Sequence, residues 1–270
     1  MDTPNPQAAA VIKAISKKPK YRAMHPSLIE SIAAEELAKG RNLKDAIKAV
    51  SSRLHQAGAA YFTAPANYAN WQAQLANLPA DLHSPQVKDF CLDHMRTHSS
   101  TQERLPIVED FFNTTLASIT PVESVLDLAC GLNPLALPWM PLAKNVQYYG
   151  CDIFSDMAGF LNQFISHFGI NGSFEARDIT QLQFPRRAQV AYLLKTLPCL
   201  EQLDKGISPR LLDAVPADYL LISYPVRSLG GRAKGMGKTY EAQFKKLMES
   251  RSWNVGRFEF TTELAFLVKK

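Results

Sequence analysis

The sequence predicts an α/β protein with a doubly wound, mostly parallel sheet that ends in an antiparallel hairpin and follows a helical segment. Three observations support this prediction. Apolar residues recur at helical spacing through about the first hundred residues, and strand-like and helix-like segments alternate after them. The last two strand-like segments are separated by about two residues, Thr261 and Thr262. So short a joint indicates a hairpin, because a parallel crossover needs about a dozen residues.

The first segment, residues 1–104, is predicted to be a small helical subdomain. Ser27 and Glu30 have the spacing of a capping box, and Gly40 stands where that helix would end. A second helix is expected to bury one apolar face within 43–54. Two further helices are expected, at 67–78 and from Ser84 onward. A bundle of this size is typical of recognition or support rather than of chemistry.

The second segment, residues 105–270, is predicted to be the α/β domain. A helix from Leu105 onward leads into it. Ser100 and Glu103 have capping-box spacing, but Pro106 would then kink the next turn. The predicted strands are 124–129, 147–152, 173–177, 189–194, 218–223, 253–260 and 263–268. The predicted helices between them are 135–143, 155–168, 199–214 and 238–250. This is the layout of Rossmann-like methyltransferases, in which helices cover both faces of the sheet.

Composition excludes several classes of protein. A hydrophobic fraction of 46% indicates an ordered globular chain. No apolar run approaches the roughly 18 residues of a membrane span, and the first residues do not resemble a secretory signal, so we expect a cytoplasmic protein. The cysteines lack C-x-x-C spacing and are expected to be small buried hydrophobes, which indicates neither zinc nor thioredoxin chemistry. They are Cys91, Cys130, Cys151 and Cys199.

The positive charge is clustered although the net charge is only +5. The first cluster consists of Lys17, Lys18, Lys20 and Arg22. The second lies between Tyr224 and Tyr240, a stretch without an acidic residue, and consists of Arg227, Arg232, Lys234 and Lys238. Such patches in a nearly balanced protein indicate a polyanionic partner, with ordinary solvated surface as the alternative.

Three acidic residues follow three of the predicted strands: Asp127, Asp152 and Asp178. Ligands of doubly wound sheets bind beyond the carboxyl ends of the strands. Asp127 and the Gly131 turn are expected near the amino-acid part of a cofactor, Asp152 near ribose hydroxyls, and Asp178 with Ile179 near adenine. The third glycine of a pyrophosphate cradle is missing, which favours S-adenosylmethionine over a dinucleotide. The alternative is that each acid caps a following helix.

Two basic residues stand beside this predicted pocket. Arg104, just before the α/β domain, has the chemistry to clamp the carboxylate of a cofactor, although a surface arginine is commoner. Lys195 interrupts the apolar run Val190–Leu197. It either faces the pocket or serves as the partner of a helix C-terminus.

The segment after the fifth predicted strand indicates contact with a nucleic acid. Tyr224-Pro225 is placed to stack an extruded base. The glycines and cations that follow, up to Lys238, would let the backbone approach phosphates closely. A flexible surface loop is the alternative.

Taken together, these residues resemble the aminoglycoside-resistance 16S rRNA methyltransferases that modify guanine N7 at the decoding site, the Arm/Rmt and Sgm-like family. The Ser228–Met236 stretch is the most specific match. Tyr224 stands where phenylalanine is usual, Val226 where threonine is common, and Thr196 where an apolar residue is expected. The matching blocks are Lys20–Arg22, Arg53–His55, His98–Leu105, Asp127–Leu135, Gly150–Ile153, Lys195–Pro198 and Ser223–Met236.

The resemblance implies a Rossmann-like class I methyltransferase, with S-adenosyl-L-methionine as donor and the 30S subunit, at helix 44 of 16S rRNA, as partner. It implies no metal, and we expect a monomer. Residues expected at the cofactor are Arg104, Asp127, Ala129, Gly131, Asn133, Asp152, Ile153, Asp178 and Ile179. Residues expected to position the target base are Lys195, Arg227 and Met236. Residues expected to contact rRNA are Lys17, Lys18, Lys20, Arg22, Arg53, Tyr224, Arg232 and Lys234.

The implied chemistry needs no general base, because guanine N7 already exposes a lone pair. Alignment and desolvation of the reactants suffice for attack on a sulfonium methyl group. Two alternatives remain open from the sequence. One is another methyltransferase of the same fold, acting on adenine N1 or on a small molecule, and the other is a non-catalytic RNA-binding protein.

Overall fold

A computed structural model describes residues 6–226 and 236–270. Helices dominate the first part of the chain. They are α1 (Pro6–Ser16), α2 (Pro26–Ala38), α3 (Leu43–Ala57), α4 (Tyr68–Leu75), α5 (Pro85–Met95) and α6 (Ser99–Arg104). Short 3-10 turns follow α3 at Ala59–Tyr61 and α6 at Leu105–Ile107. The predicted helical segment is therefore present.

The second part of the chain forms one sheet with helices on both faces. The strands are β1 (Val122–Leu128), β2 (Leu142–Asp152), β3 (Asn171–Ala176), β4 (Ala188–Leu194), β5 (Ala217–Pro225), β6 (Asn254–Glu259) and β7 (Glu263–Lys269). The helices are α7 (Val108–Leu116), α8 (Ser155–His167), α9 (Leu197–Leu200), α10 (Ile207–Ala214) and α11 (Met236–Met248). Further 3-10 helices cover Ala117–Ile119, Asn133–Trp139 and Ile179–Gln181.

The strand order is β3-β2-β1-β4-β5-β7-β6, with β1 to β5 parallel and β7 antiparallel to both of its neighbours. Leu128 pairs with Cys151 across β1 and β2, and Leu194 pairs with Ser223 across β4 and β5. The carboxyl ends of these strands therefore lie level at one edge of the sheet. The predicted doubly wound sheet with a terminal hairpin is confirmed.

Two hydrophobic cores flank the sheet. One contains Phe160 of α8 and continues into the helical segment through Val11 and Leu54, all of them fully buried. The other lies on the opposite face, where Leu211 and Phe244 pack from α10 and α11. The helical segment therefore shares its core with the sheet. A domain boundary after that segment stays a prediction.

Several predicted helix ends are wrong for local steric reasons. Helix α2 begins at Pro26, whose ring presets the helical φ, so Ser27 lies inside the first turn and does not cap it. Ser27 Oγ lies 2.8 Å from Nδ1 of His25 instead. Helix α6 begins at Ser99, and its N-cap residue His98 makes no side-chain capping hydrogen bond. The capping box considered for Ser100 and Glu103 is therefore also absent.

Proline and glycine explain the other differences in the helices. The predicted helix 135–143 is a 3-10 helix with Pro138 inside it. The predicted helix 199–214 is split into α9 and α10, and Gly206 precedes the second piece. The end of α2 is as expected, since Gly40 follows its last turn with φ +74°. The predicted start of α5 is confirmed, because Ser84 Oγ accepts from Val87 N at 3.4 Å.

Within the described parts of the chain, no helix combines the length and apolarity needed to cross a membrane.

The pairing of β2 with β3 provides a test of the fold. A Cβ at Gly172 would lie 1.8 Å from the carbonyl oxygen of Tyr148 in β2. We expect Gly172→Ala to lower the free energy of unfolding by about 1–3 kcal/mol, because the strands must separate locally. Gly159→Ala is the control, since a Cβ there meets no atom within 4 Å. In the middle of α8 it should stabilise by up to about 1 kcal/mol. Urea titration measures both; a Gly172→Ala protein as stable as the parent would contradict the strand pairing.

Candidate active site

A cleft enclosing about 740 Å³ opens at the carboxyl ends of β1, β2 and β4. Its floor includes Ala129, Asp152 and Lys195, which follow or end these strands. Its outer wall comes from the helical segment, through Leu28 of α2 and Gly58 at the end of α3. The cleft thus lies where doubly wound sheets bind ligands, and both parts of the chain build it.

The helical segment is fastened to the sheet directly beside this cleft. Its His25 N donates to the carbonyl oxygen of Ile153 at 2.7 Å, and Ser155 N donates to that of Ala23 at 2.8 Å. A Cβ at Gly58 would lie 2.6 Å from Cδ1 of Ile153. Close approach of α3 to the pocket wall therefore requires glycine at this position.

Asp152 is the acid that the structure brings to the pocket as predicted. Its Oδ2 accepts from Gly131 N at 2.9 Å and its Oδ1 accepts from Ile153 N at 2.7 Å. Burial raises the pKa of Asp152 to about 6, although these backbone hydrogen bonds oppose the shift. Each carboxylate oxygen has a second lone pair. Asp152 can therefore hold the turn after β1 and still accept hydroxyl groups of a ligand.

Asp127 lies inside the protein, behind the cleft, and not in its wall. It is buried, and its Oδ2 accepts from Asn133 Nδ2 at 2.8 Å and from the hydroxyl of Tyr148 at 2.7 Å. Neither Asp127 nor Asn133 lines the cleft. Direct cofactor contact stays a prediction for both; in this structure they stabilise, from inside the protein, the turn that carries Gly131.

Asp178 both caps a helix and lines the cleft. Its Oδ1 accepts from Thr180 N at 3.0 Å and from Thr180 Oγ1 at 2.6 Å, at the start of the 3-10 helix Ile179–Gln181. The side chains of Asp178 and Ile179 line the pocket, as does Ile153. The helix-cap alternative is thus confirmed for this acid, and it coexists with a place in the pocket wall.

Arg104 is a buried structural residue rather than a pocket residue. Its Nη2 donates to Oε2 of Glu263 at 2.9 Å, its Nε lies 2.8 Å from the other carboxylate oxygen, and its Nη1 donates to Oδ1 of Asn133 at 2.8 Å. The guanidinium also lies 4.9 Å from the ring centre of Phe111. Arg104 is not among the residues that line the cleft, and its clamp on a cofactor stays a prediction. The carboxylate that it holds is Glu263.

The two alternatives predicted for Lys195, facing the pocket and serving as the partner of a helix, both hold in part. It lines the cleft, and its Nζ donates to the carbonyl oxygen of Ser100 at 2.9 Å and to Oε2 of Glu103 at 2.7 Å. Its partner is therefore helix α6, although not the C-terminus of that helix. Nζ also lies 3.3 Å from Oε1 of Glu263. The backbone φ of Lys195 is +59°, a strained value for a residue with a side chain.

Glu263 joins these charges. It is completely buried and accepts from Ser223 Oγ at 2.8 Å as well as from Arg104. Burial alone would raise its pKa, but Arg104 and Lys195 hold the pKa of Glu263 below its usual value. The carboxylate is thus ionised and neutralises the cations beside it.

The residues predicted to contact rRNA or to position the target base lie in different surroundings. Lys17, Lys20 and Arg22 are exposed, whereas Lys18 Nζ donates to Ser51 Oγ at 2.7 Å. Met236 is the first residue of α11. The predictions for Arg227, Arg232 and Lys234 lie outside the described residues.

Arg53 and Tyr224 are both largely enclosed by other parts of the protein. Only 16% of the Arg53 side chain is exposed, since it pairs with Glu35 at 2.7 Å and donates to the carbonyl oxygen of Leu203 at 3.1 Å. It therefore links α3 to the segment after α9. Tyr224 is 2% exposed and stacks on Tyr240 with ring centres 5.0 Å apart. Its ring is part of the core, so it cannot stack an extruded base.

Three pocket or network residues were missed in the sequence. Tyr61 and His98 line the cleft, and Glu263 lies behind it. Glu263 carried a usable signal, because an acid that opens the apolar run 264–268 indicates a buried charge with partners. His98 lies in a block already singled out, but its orientation depends on tertiary contacts.

Comparisons with known proteins agree with this architecture. Residues 17–267 match the family described as Ribosomal RNA methyltransferase (FmrO). The 16S rRNA (guanine(1405)-N(7))-methyltransferase of Micromonospora echinospora is 31% identical over 269 residues, which is 99% of this chain and 98% of that protein. The enzyme of the same name from Serratia marcescens is 31% identical over 251 residues, with coverage of 93% and 94%.

Two solved structures are similar over almost the whole chain. The 16S rRNA methyltransferase RmtF in complex with S-adenosyl-L-homocysteine has a TM-score of 0.84 at 30% identity, with coverage of 99% and 100%. The 16S rRNA methylase RmtB has a TM-score of 0.80 at 26% identity, with coverage of 98% and 100%.

The sheet order, the terminal hairpin and a cleft at the strand ends define a class I, Rossmann-like methyltransferase. Within that class, the chain belongs to the FmrO family of ribosomal RNA methyltransferases. The resemblance found in the sequence is confirmed.

The buried charges behind the cleft provide a second test. We expect Glu263→Gln to lower the free energy of unfolding by about 3–5 kcal/mol at neutral pH, because it leaves Arg104 and Lys195 with one buried carboxylate fewer. Glu259→Gln is the control. Glu259 is 65% exposed and pairs with Arg257, so its loss should change stability little. Urea unfolding measures both, and similar small losses would contradict the role given to Glu263.

Proposed function

We propose that the protein is a 16S rRNA (guanine-1405 N7)-methyltransferase that acts at helix 44 of the 30S subunit as a monomer with S-adenosylmethionine as donor. By this modification it would confer resistance to 4,6-disubstituted aminoglycosides. The observation that carries the proposal is the joint construction of the cleft, by strand ends that carry Asp152 and Lys195 and by a helical segment that carries exposed cations. Relatives of that name cover nearly the whole chain and support it.

The cleft fits S-adenosylmethionine in position and chemistry. It opens at the carboxyl ends of the strands, where doubly wound sheets bind their ligands. Asp152 offers carboxylate lone pairs for ribose hydroxyls, and Ile153, Ile179 and Leu200 line the same cleft as apolar contacts for adenine. The donor, when bound, supplies an electrophilic methyl group on a sulfonium.

The residues of the cleft need only to bind, align and exclude water. Guanine N7 carries a lone pair in the plane of the ring, so no residue has to remove a proton before attack. Holding two reactants in line is worth several kcal/mol of the barrier. Lys195 lies at the pocket wall, where Ser100 and Glu103 accept hydrogen bonds from its ammonium group, and we assign it the role of orienting the base.

The modified guanine explains how resistance would arise. Methylation at N7 removes a hydrogen-bond acceptor and leaves the base positively charged. An aminoglycoside is polycationic, so it loses one hydrogen bond and gains repulsion at this position. Both effects weaken binding of the drug without altering the rest of its site.

Docking on rRNA is assigned to the cations of the helical segment. Lys17, Lys20 and Arg22 are exposed and form no ion pair with the described residues. Free surface cations release counterions when they meet phosphates, which gives salt-dependent affinity. The target N7 lies in the deep groove of an A-form helix, so the base must leave the stack to enter the cleft.

The proposal is tested by incubating 30S subunits with the enzyme and methyl-labelled donor and then mapping the labelled base. We expect label at N7 of guanine 1405 of 16S rRNA, and survival of a susceptible bacterium that expresses the protein on gentamicin but not on apramycin. Label on adenine N1, or label only in a metabolite extract, would overturn the proposal.

Asp152 provides a pH-dependent test of the cofactor site. We expect Asp152→Asn to weaken S-adenosyl-L-homocysteine at least about tenfold at pH 7.5, because an amide loses charge-assisted hydrogen bonds. In the parent, affinity should fall as the pH drops through about 6, where Asp152 becomes protonated, and the variant should lack that decline. Calorimetry between pH 5 and 8 measures both. Asp156→Asn, an exposed residue of α8, is the control and should bind like the parent.

The docking surface is tested separately. We expect Lys20→Ala with Arg22→Ala to weaken 30S binding and to reduce the slope of log affinity against log salt by about 2, one for each lost phosphate contact. Binding of S-adenosyl-L-homocysteine should not change. Lys144→Ala, an exposed lysine near the opposite end of β2, is the control. An unchanged salt slope in the double variant would remove these residues from the docking surface.

A further inference from the structure

His98 occupies a part of the cleft that the predicted cofactor residues leave open. Arg104, Asp127 and Asn133 bond to protein groups behind the turn after β1 and do not line the cleft. His98 does line it, next to that turn. His98 is therefore the candidate polar contact for the amino-acid end of the cofactor.

Protein contacts hold the imidazole of His98 on three sides. Its ring stacks on Tyr61 with centres 5.8 Å apart and planes 20° apart. The ring of Phe62 meets it edge-on, with centres 5.2 Å apart and planes 85° apart. On the third side, a Cβ at Gly131 would lie 2.9 Å from Cε1 and 3.2 Å from Nε2. The ring is thus fixed before any ligand arrives.

Both this contact and the positive backbone φ at position 131 favour glycine there. Its φ of +51° favours glycine, and the missing side chain leaves the space that the imidazole fills. The glycine of the turn after β1 therefore seats His98 against the pocket floor. The sequence had suggested that this glycine makes room for the cofactor itself.

The side chain of His98 is not used for helix capping. His98 is the N-cap residue of α6, yet it makes no side-chain cap bond. Residues such as Ser, Asn and Asp normally serve there because their oxygen accepts from the first turn. The imidazole is turned toward the cleft instead, so helix formation does not account for it.

One ring nitrogen remains available to a ligand. Nδ1 is enclosed and has no hydrogen-bond partner among the described residues. The residue as a whole is partly exposed on the pocket wall. Nε2 is therefore the nitrogen that faces the cleft. Burial, with Lys195 and Arg104 nearby, lowers the pKa of His98 to about 3, so the ring is neutral at physiological pH.

We infer that His98 is a cofactor-binding residue whose Nε2 hydrogen-bonds the amino-acid end of S-adenosylmethionine and so aims the sulfonium methyl along the cleft. This inference rests on the proposed function. A neutral imidazole suits the place, because its free nitrogen can donate to the carboxylate or accept from the ammonium group of the ligand, depending on the tautomer. Its rigid seat also limits the loss of side-chain entropy on binding.

Three substitutions separate hydrogen bonding from packing. His98→Phe keeps a ring against Tyr61 and Phe62 but has no nitrogen. His98→Gln places an amide near the position of Nε2, and His98→Asn places one near that of Nδ1. We expect His98→Phe and His98→Asn to weaken S-adenosyl-L-homocysteine about tenfold, roughly one lost hydrogen bond, and His98→Gln to stay within about threefold of the parent. Calorimetry measures the affinity, and thermal unfolding checks each fold.

Methyl transfer to 30S subunits provides the second readout. We expect the KM for S-adenosylmethionine to rise in His98→Phe, with 30S affinity unchanged. Parent-like affinity in a folded His98→Phe, or a His98→Gln no better than His98→Asn, would overturn the inference. Should His98→Phe not fold, the comparison of His98→Gln with His98→Asn decides alone. If the parent itself bound no S-adenosyl-L-homocysteine or labelled no 30S, the proposed function would fail instead.

Discussion

The buried carboxylate of Glu263 is the interaction on which the active site depends. It stands at the start of β7 and contacts Arg104 of α6, Ser223 of β5 and Lys195 after β4. Two cations removed from water at this depth are tolerated only with a well-placed counter-charge. The terminal hairpin, helix α6 and the end of the pocket strand β4 must therefore meet at one point. The position of Lys195 on the pocket wall is a consequence of that meeting.

The same interaction sets the charge of the cleft. Glu263 and Glu103 pair with Arg104 and Lys195, so each of these cations has a carboxylate partner. Asp152 adds a carboxylate on the opposite side of the floor. A cationic donor and a base that becomes cationic on methylation both need such an environment, since uncompensated cations would oppose both. A pocket that can hold a lysine for orientation thus needs buried acids behind it.

The sheet could be predicted from the sequence because strand periodicity and joint length are local properties. The directions in which the acidic side chains at the strand ends point could not be predicted. Asp127 and Asp152 both stand at strand ends, yet the first faces inward because Tyr148 and Asn133 donate to it. The second faces the cleft because its partners are backbone N–H groups of the turn. Direction at a strand end depends on which donors the neighbouring elements supply.

The surroundings of Tyr224 and Arg104 could not be predicted for the same reason. The Tyr224-Pro225 pair suggested an exposed stacking ring, but Tyr240 and Phe266 enclose that tyrosine. Arg104 suggested a ligand clamp, and a carboxylate 159 residues away in the chain holds it. Residue type predicted the chemistry of each group correctly. Its partner was long-range, and a single sequence carries no information about which long-range partner is present.

Helix α3 links the proposed docking surface to the wall of the cleft. Its Ser51 accepts from Lys18 of the basic cluster, and Gly58, seven residues on, lies against the pocket wall. At about 1.5 Å per residue, these points are roughly 10 Å apart along one rigid element. Arg53, between them, ties the helix to the segment that follows α9. The segment that carries the proposed docking surface and the wall of the cleft are therefore both held by this one helix.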